Sequence, residues 1–220
     1  TLASSSAASD VYKRQALLGW SPGDDREVLS LEEMVDEFRF ERVSKSGAVF
    51  DREKLNWMNQ QYLLKLPEEE YFRMIDDVIQ KGDYHDQDPG KIRQAAEILK
   101  TRLVTLSDLN QKLGLFFEEN PEIKDLQAIE VLKEENSKTV LKEFLQQAEN
   151  LDQLTSENLG QLVKSVQKNT GIKGRGLWMP LRCAITREVS GPELPAMFDF
   201  FGGEKCLHLI SQALKNPSLN

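Results

Sequence analysis

Apolar residues return every three or four positions along nearly the whole of this 220-residue chain. No stretch alternates apolar with polar residues long enough to form a half-buried strand. A chain patterned this way buries its apolar stripes by packing helix on helix, so the expected fold class is all-α. Ser30, with Glu33 three residues later, marks a helix start that puts Leu31, Met34, Val35 and Phe38 on one face. Asp51 caps a second helix, whose stripe holds Leu55, Met58, Asn59 and Tyr62, and Pro67 closes that unit. From Glu68 to Leu151 five helices come in succession, punctuated by Gly82–Gly90 and Asn120-Pro121. Thr155 opens a further helix with Leu159, Leu162, Val163 and Val166 inward, stopped by Gly171. After Pro195, an aromatic segment ends at Gly202-Gly203, and a last helix runs from Glu204 to Leu214 with His208 in core-like company.

Charge divides the chain unevenly. The net charge is −8, yet residues 164–187 contain six Lys or Arg and no acid. This window overlaps GIKGRGLWMPLRCAITREVSGPEL at 171–194, which is rich in glycine and carries a compact apolar block, Trp178 to Leu181, directly before Arg182. An acid-free window in so acidic a chain suggests a surface that meets an anion, although a solvated loop between two core helices has the same composition. The overall acidity argues against a protein that coats nucleic acid indiscriminately, but not against local recognition. No apolar run approaches the roughly 20 residues of a membrane span. Residues 1–15 share no periodicity with the rest of the chain, so disorder and a non-native origin are expected for them.

Catalytic chemistry is hard to find. Two histidines, His85 and His208, suggest neither a triad nor a zinc site, and no metal is expected. The glycines of GIKGRG come after a helix, whereas a phosphate loop comes after a strand and ends in Gly-Lys-Ser/Thr. Cys183 and Cys206 lie among apolar residues and are expected to be buried free thiols in a reducing, cytoplasmic compartment.

Several ordered motifs point further. Val43 to Tyr62 reads V-S-K-S-x-A-x-F-D-x-x-K-L-x-W-x-N-x-x-Y. Lys100-x-Arg102-x-x-Thr105-Leu106 and Phe116-Phe117 come next, then K-G-x-x-L-x-M-P-L-R-x-A-x-T from Lys173 and G-P-x-L from Gly191. Over about residues 16–215 the chain resembles the C-terminal part of the bacterial glutamyl-tRNA synthetases, the glutamate–tRNA ligases. The resemblance implies a stem-contact helical unit at 16–66 and two helical anticodon-binding subdomains at 67–137 and 138–220. Ser44-Lys45-Ser46 is not the ATP-site signature of those enzymes, and His-x-Gly-His is absent. The resemblance therefore implies no cofactor for this chain by itself and no catalytic residue. The parent enzyme would use ATP and Mg²⁺ to attach glutamate to tRNA-Glu, and would be a cytoplasmic monomer with no membrane association.

The resemblance also assigns residues. Arg182 would contact the anticodon, with Pro180 stiffening the approach and Leu181 anchoring it. Gly191, Pro192 and Leu194 would shape the base pockets, and Arg102 would read the last anticodon base. Guanidinium groups suit this role, because they are planar and donate in pairs. Lys164, Lys168, Lys173, Arg175 and Arg187 are expected phosphate contacts, with Lys45 and Arg52 near the stem. For Trp178, core packing is favoured over base stacking. The reading from another class is an all-helical module that binds protein rather than RNA.

Overall fold

The structure, a computed structural model, describes residues 19–24, 26, 28–44 and 51–216. Ten α-helices account for most of them, and no strand occurs among the described residues; a single bridge pairs Trp20 with Val43. The expected tail at 1–15 and Lys45 lie outside the described residues.

Two compact units divide the chain. The first comprises residues 1–85 and 103–109, the second 86–102 and 110–220. These units cut across the three segments drawn from sequence motifs.

In the first unit, α1 spans Leu31–Glu37, α2 Arg52–Lys65 and α3 Glu68–Ile79. The expected capping box on α1 is present: the Ser30 hydroxyl accepts from the Glu33 amide at 3.1 Å, and the Glu33 carboxylate accepts from the Ser30 amide at 2.6 Å. Of the four apolar residues expected on one buried face of α1, only Met34 is buried, beside Trp20 and Leu29. Leu31, Val35 and Phe38 stay exposed, because a seven-residue helix offers one turn to a small core. Asp51 caps α2 by accepting from the amides of Glu53 and Lys54. Asn59 and Tyr62 on α2 use their polar tips: the Asn59 amide donates to the Val104 carbonyl, and the Tyr62 hydroxyl donates to the Leu29 carbonyl at 3.0 Å.

The second unit holds α4 (Pro89–Leu99), most of α5 (Asp108–Phe117), α6 (Leu126–Lys133), α7 (Glu135–Ala148), α8 (Ser156–Thr170), α9 (Arg175–Thr186) and α10 (Leu194–Lys215). The expected stripe of α8 is buried at all four positions, and Gly171 ends that helix with φ 72°. The aromatic segment and the last helix meet inside α10 at Gly202, whose φ of 75° and ψ of 165° break the helical path. His208 is exposed on α10, contrary to the core-like setting expected for it. Cys183 and Cys206 are both fully buried and unpaired, as expected. Among the described residues no helix is long and apolar enough to cross a membrane.

Candidate nucleic-acid interface

The acid-free window is not a loop. Residues 175–186 form α9, introduced by Gly174 at φ 58° and closed by Arg187 at φ 63°. Pro180 sits inside this helix, where a proline forfeits a backbone hydrogen bond and presses its ring on the preceding turn. The residue four positions earlier is Gly176, the smallest available neighbour for that ring. Leu177, Leu181, Ala184 and Ile185 form the inward face and are all within 1% of complete burial. Burying side chains such as Leu181 stabilises by about 1.5–3 kcal/mol each, enough to hold the helix despite its proline.

The opposite face carries the exposed side chains. Arg175, Trp178 and Arg182 fall at i, i+3 and i+7, so they share one side of α9. Arg175 is exposed, and Trp178 is 42% exposed. The core packing expected of Trp178 is therefore overturned, because Leu177 and Leu181 take the buried register and leave the indole on the solvent side. An exposed indole on the same helix side as two arginines offers a flat stacking surface near cations, which suits an unpaired base.

Arg182 is held from behind. Its guanidinium donates to the Gly191 carbonyl and to the Glu193 carboxylate, both at 3.3 Å. Arg102, 80 residues earlier in the chain, reaches the other oxygen of the same carboxylate at 3.7 Å. The structure thus brings together two arginines assigned from separate motifs. Glu193 joins them, and sequence reasoning passed over it as the variable position of G-P-x-L. Arg102 Nε is buried and has no acceptor among the described residues.

The turn behind this cluster is rigid. Gly191, Pro192 and Leu194 are all buried. A side chain at Gly191 would overlap Thr186 Oγ1 and Cβ. That hydroxyl lies 2.9 Å from the carbonyl oxygens of both Arg182 and Glu188, tying the turn to the end of α9. The Val189 amide donates to Asp125 at 2.9 Å, which pins the same turn to the start of α6.

The remaining cations separate into two groups. Lys164 and Lys168 are exposed on α8, Lys173 is exposed in the link to α9, and Arg52 is exposed at the start of α2. Arg187 differs from the phosphate contact expected of it. It is 5% exposed, and its guanidinium donates inward to the Leu209 carbonyl and to Gln212. No group of three metal-ligating side chains occurs among the described residues.

Known proteins share this architecture. A family model described as the anticodon binding domain matches residues 58–214. The glutamate–tRNA ligase of Listeria monocytogenes serovar 1/2a is 37% identical over 214 residues, covering 91% of this chain and 42% of that protein. The glutamate–tRNA ligase of Finegoldia magna is 35% identical over 204 residues, covering 90% of this chain and 41% of that protein. The crystal structure of a glutamate tRNA ligase from Elizabethkingia meningosepticum, in complex with its amino acid, superposes with a TM-score of 0.66 at 26% identity. That match covers 94% of this chain and 41% of the other. The chain therefore spans about 41% of the length of the relatives it matches.

Proposed function

The chain belongs to the anticodon binding domain family, in the form carried by glutamate–tRNA ligases, and from that premise we propose that it binds tRNA-Glu and reads its anticodon. The observation that carries this reading is the convergence of Arg102 and Arg182 on Glu193, next to the exposed face of Trp178. A free anticodon base presents acceptors on its edges and a flat ring. Two guanidinium groups supply paired donors for the edges, and an indole supplies a stacking partner for the ring. Gly191, Pro192 and Leu194 set the wall against which the bases rest. Leu181 anchors α9, and Pro180 stiffens it. Lys164, Lys168, Lys173 and Arg175 contact phosphates, adding salt-dependent affinity without sequence preference. In the full-length ligase, ATP and Mg²⁺ would act elsewhere, in a cytoplasmic monomer.

Filter binding of tRNA-Glu transcripts tests this reading. Arg182→Ala and Arg102→Ala should each weaken binding by on the order of 1–3 kcal/mol and narrow the gap between native and anticodon-swapped transcripts. Equal binding of native and swapped transcripts by the unaltered chain would sink the reading. Absence of salt-sensitive RNA binding altogether would return the chain to the class of helical protein-binding modules.

A further inference from the structure

Arg102 and Arg182 share a single counter-charge. Arg102 ends the short 3-10 turn Lys100–Arg102 after α4, and Arg182 lies on α9. One oxygen of the Glu193 carboxylate faces Arg102 Nη2 at 3.7 Å, and the other faces Arg182 Nη2 at 3.3 Å. Both separations exceed the roughly 2.7–2.9 Å of a tight charge-assisted hydrogen bond. Neither arginine pairs with any other acid among the described residues. One negative charge is therefore divided, loosely, between two positive ones.

Of the three side chains, the carboxylate is the movable one. Glu193 stands at the N-cap position of α10, where a side-chain oxygen commonly accepts from the first amides of the helix, yet it makes no such bond. Its side chain is 69% exposed, against 34% for Arg102 and 24% for Arg182. Arg182 is also anchored to the Gly191 carbonyl at 3.3 Å, a backbone group of the buried turn that stays in place when the carboxylate leaves. The two carboxylate oxygens sit on one carbon, so Glu193 cannot leave one arginine without shifting from the other.

We propose that Glu193 couples the reading of two anticodon bases, acting as a stand-in acceptor that both arginines release together. The proposal rests on the anticodon reading above and adds a specificity-determining residue to it. A base edge that takes either guanidinium displaces the carboxylate and bears the whole cost of its release. The second base then meets an arginine already freed, so each base strengthens the binding of the other. Exposed pairs are weak, and releasing two of them corresponds to a coupling of about threefold to fivefold. Glu193 touches neither base and acts only through the arginines. A carboxylate that merely repelled RNA would weaken every transcript alike, whereas this one weakens only those that engage an arginine.

Fluorescence anisotropy of the full chain with tRNA-Glu transcripts at one fixed salt concentration tests it. The transcripts are the native one, single swaps at each anticodon position, and the double swap at the two positions that the arginines read. The position read by Arg102 is the one whose swap costs nothing further in Arg102→Ala, and Arg182→Ala identifies the other. In the unaltered chain the double swap should cost about threefold to fivefold less than the product of the two single-swap costs. In Glu193→Gln the two costs should multiply. That variant should also tighten the native and singly swapped transcripts by the same about threefold to fivefold, and leave the doubly swapped one unchanged. Glu193→Ala, which carries no amide to engage the arginines, should behave in the same way. Equal tightening of all transcripts, the doubly swapped one included, means lost repulsion and overturns the proposal. Costs that already multiply in the unaltered chain overturn it too, while leaving the anticodon reading intact. No distinction between native and swapped transcripts by the unaltered chain overturns both.

Discussion

Glu193 decides how open the arginine pair is. Its carboxylate faces two guanidinium groups at 3.3 and 3.7 Å, yet its own side chain is 69% exposed. Exposed pairs of this kind contribute only about 0.2–1 kcal/mol, so an incoming acceptor can displace it. Glu193→Gln should tighten tRNA-Glu binding several-fold, by on the order of 1 kcal/mol, as measured by fluorescence anisotropy; weaker binding would mean that the carboxylate positions the arginines rather than competing for them. Gly191 has no such latitude. Gly191→Ala forces a methyl group into Thr186 and should cost about 1–3 kcal/mol in urea unfolding. The two thiols make a third case. Burial pushes both Cys183 and Cys206 up to about 12, from an ordinary value of 9.0. Between those values the folded chain holds protons that the unfolded chain has released. The stability contributed below pH 9 therefore declines as pH rises toward 12, by at most about 1.4 kcal/mol per pH unit for each thiol. Urea midpoints at pH 8 and pH 10 should fall further apart in the unaltered chain than in Cys206→Ala.

Helices are legible where their signals are local. Ser30 with Glu33, Asp51, Thr155 and Gly171 each announce a terminus within a few residues, and each appears in the structure as read. Helix α9 is not legible, because glycines and an internal proline argue against a helix, and only burial of Leu177, Leu181 and Ile185 overrides them. The same override turns Trp178 outward, since its neighbours fill the buried register. Arg102 and Arg182 can be assigned only from motifs, and their convergence depends on Glu193, a contact 91 residues from Arg102 that no local pattern encodes. Trp178→Ala tests the surface role of the helix: tRNA binding should drop about tenfold while the thermal midpoint changes little. In α10 the kink at Gly202 occupies a backbone region that side chains avoid. Gly202→Ala should cost on the order of 1–3 kcal/mol, read as a lower thermal midpoint.

The whole molecule is not two consecutive segments. Residues 103–109 return to the first unit after 86–102 have joined the second. Leu103 and Leu109 are completely buried, and the Val104 carbonyl accepts from Asn59. Leu103 and Leu109 thus supply buried side chains to a segment that is grouped with the first unit and bonded to α2 through Asn59. For a chain made from its N-terminus onward, this has a consequence in time. The first unit should close only once residue 109 has been synthesised, when part of the second unit already exists. Nascent chains halted at residue 100 should leave α2 and α3 open to proteolysis, and chains extended past residue 109 by the length of the ribosomal exit path should protect them. The order of assembly is thus written into the path of the chain.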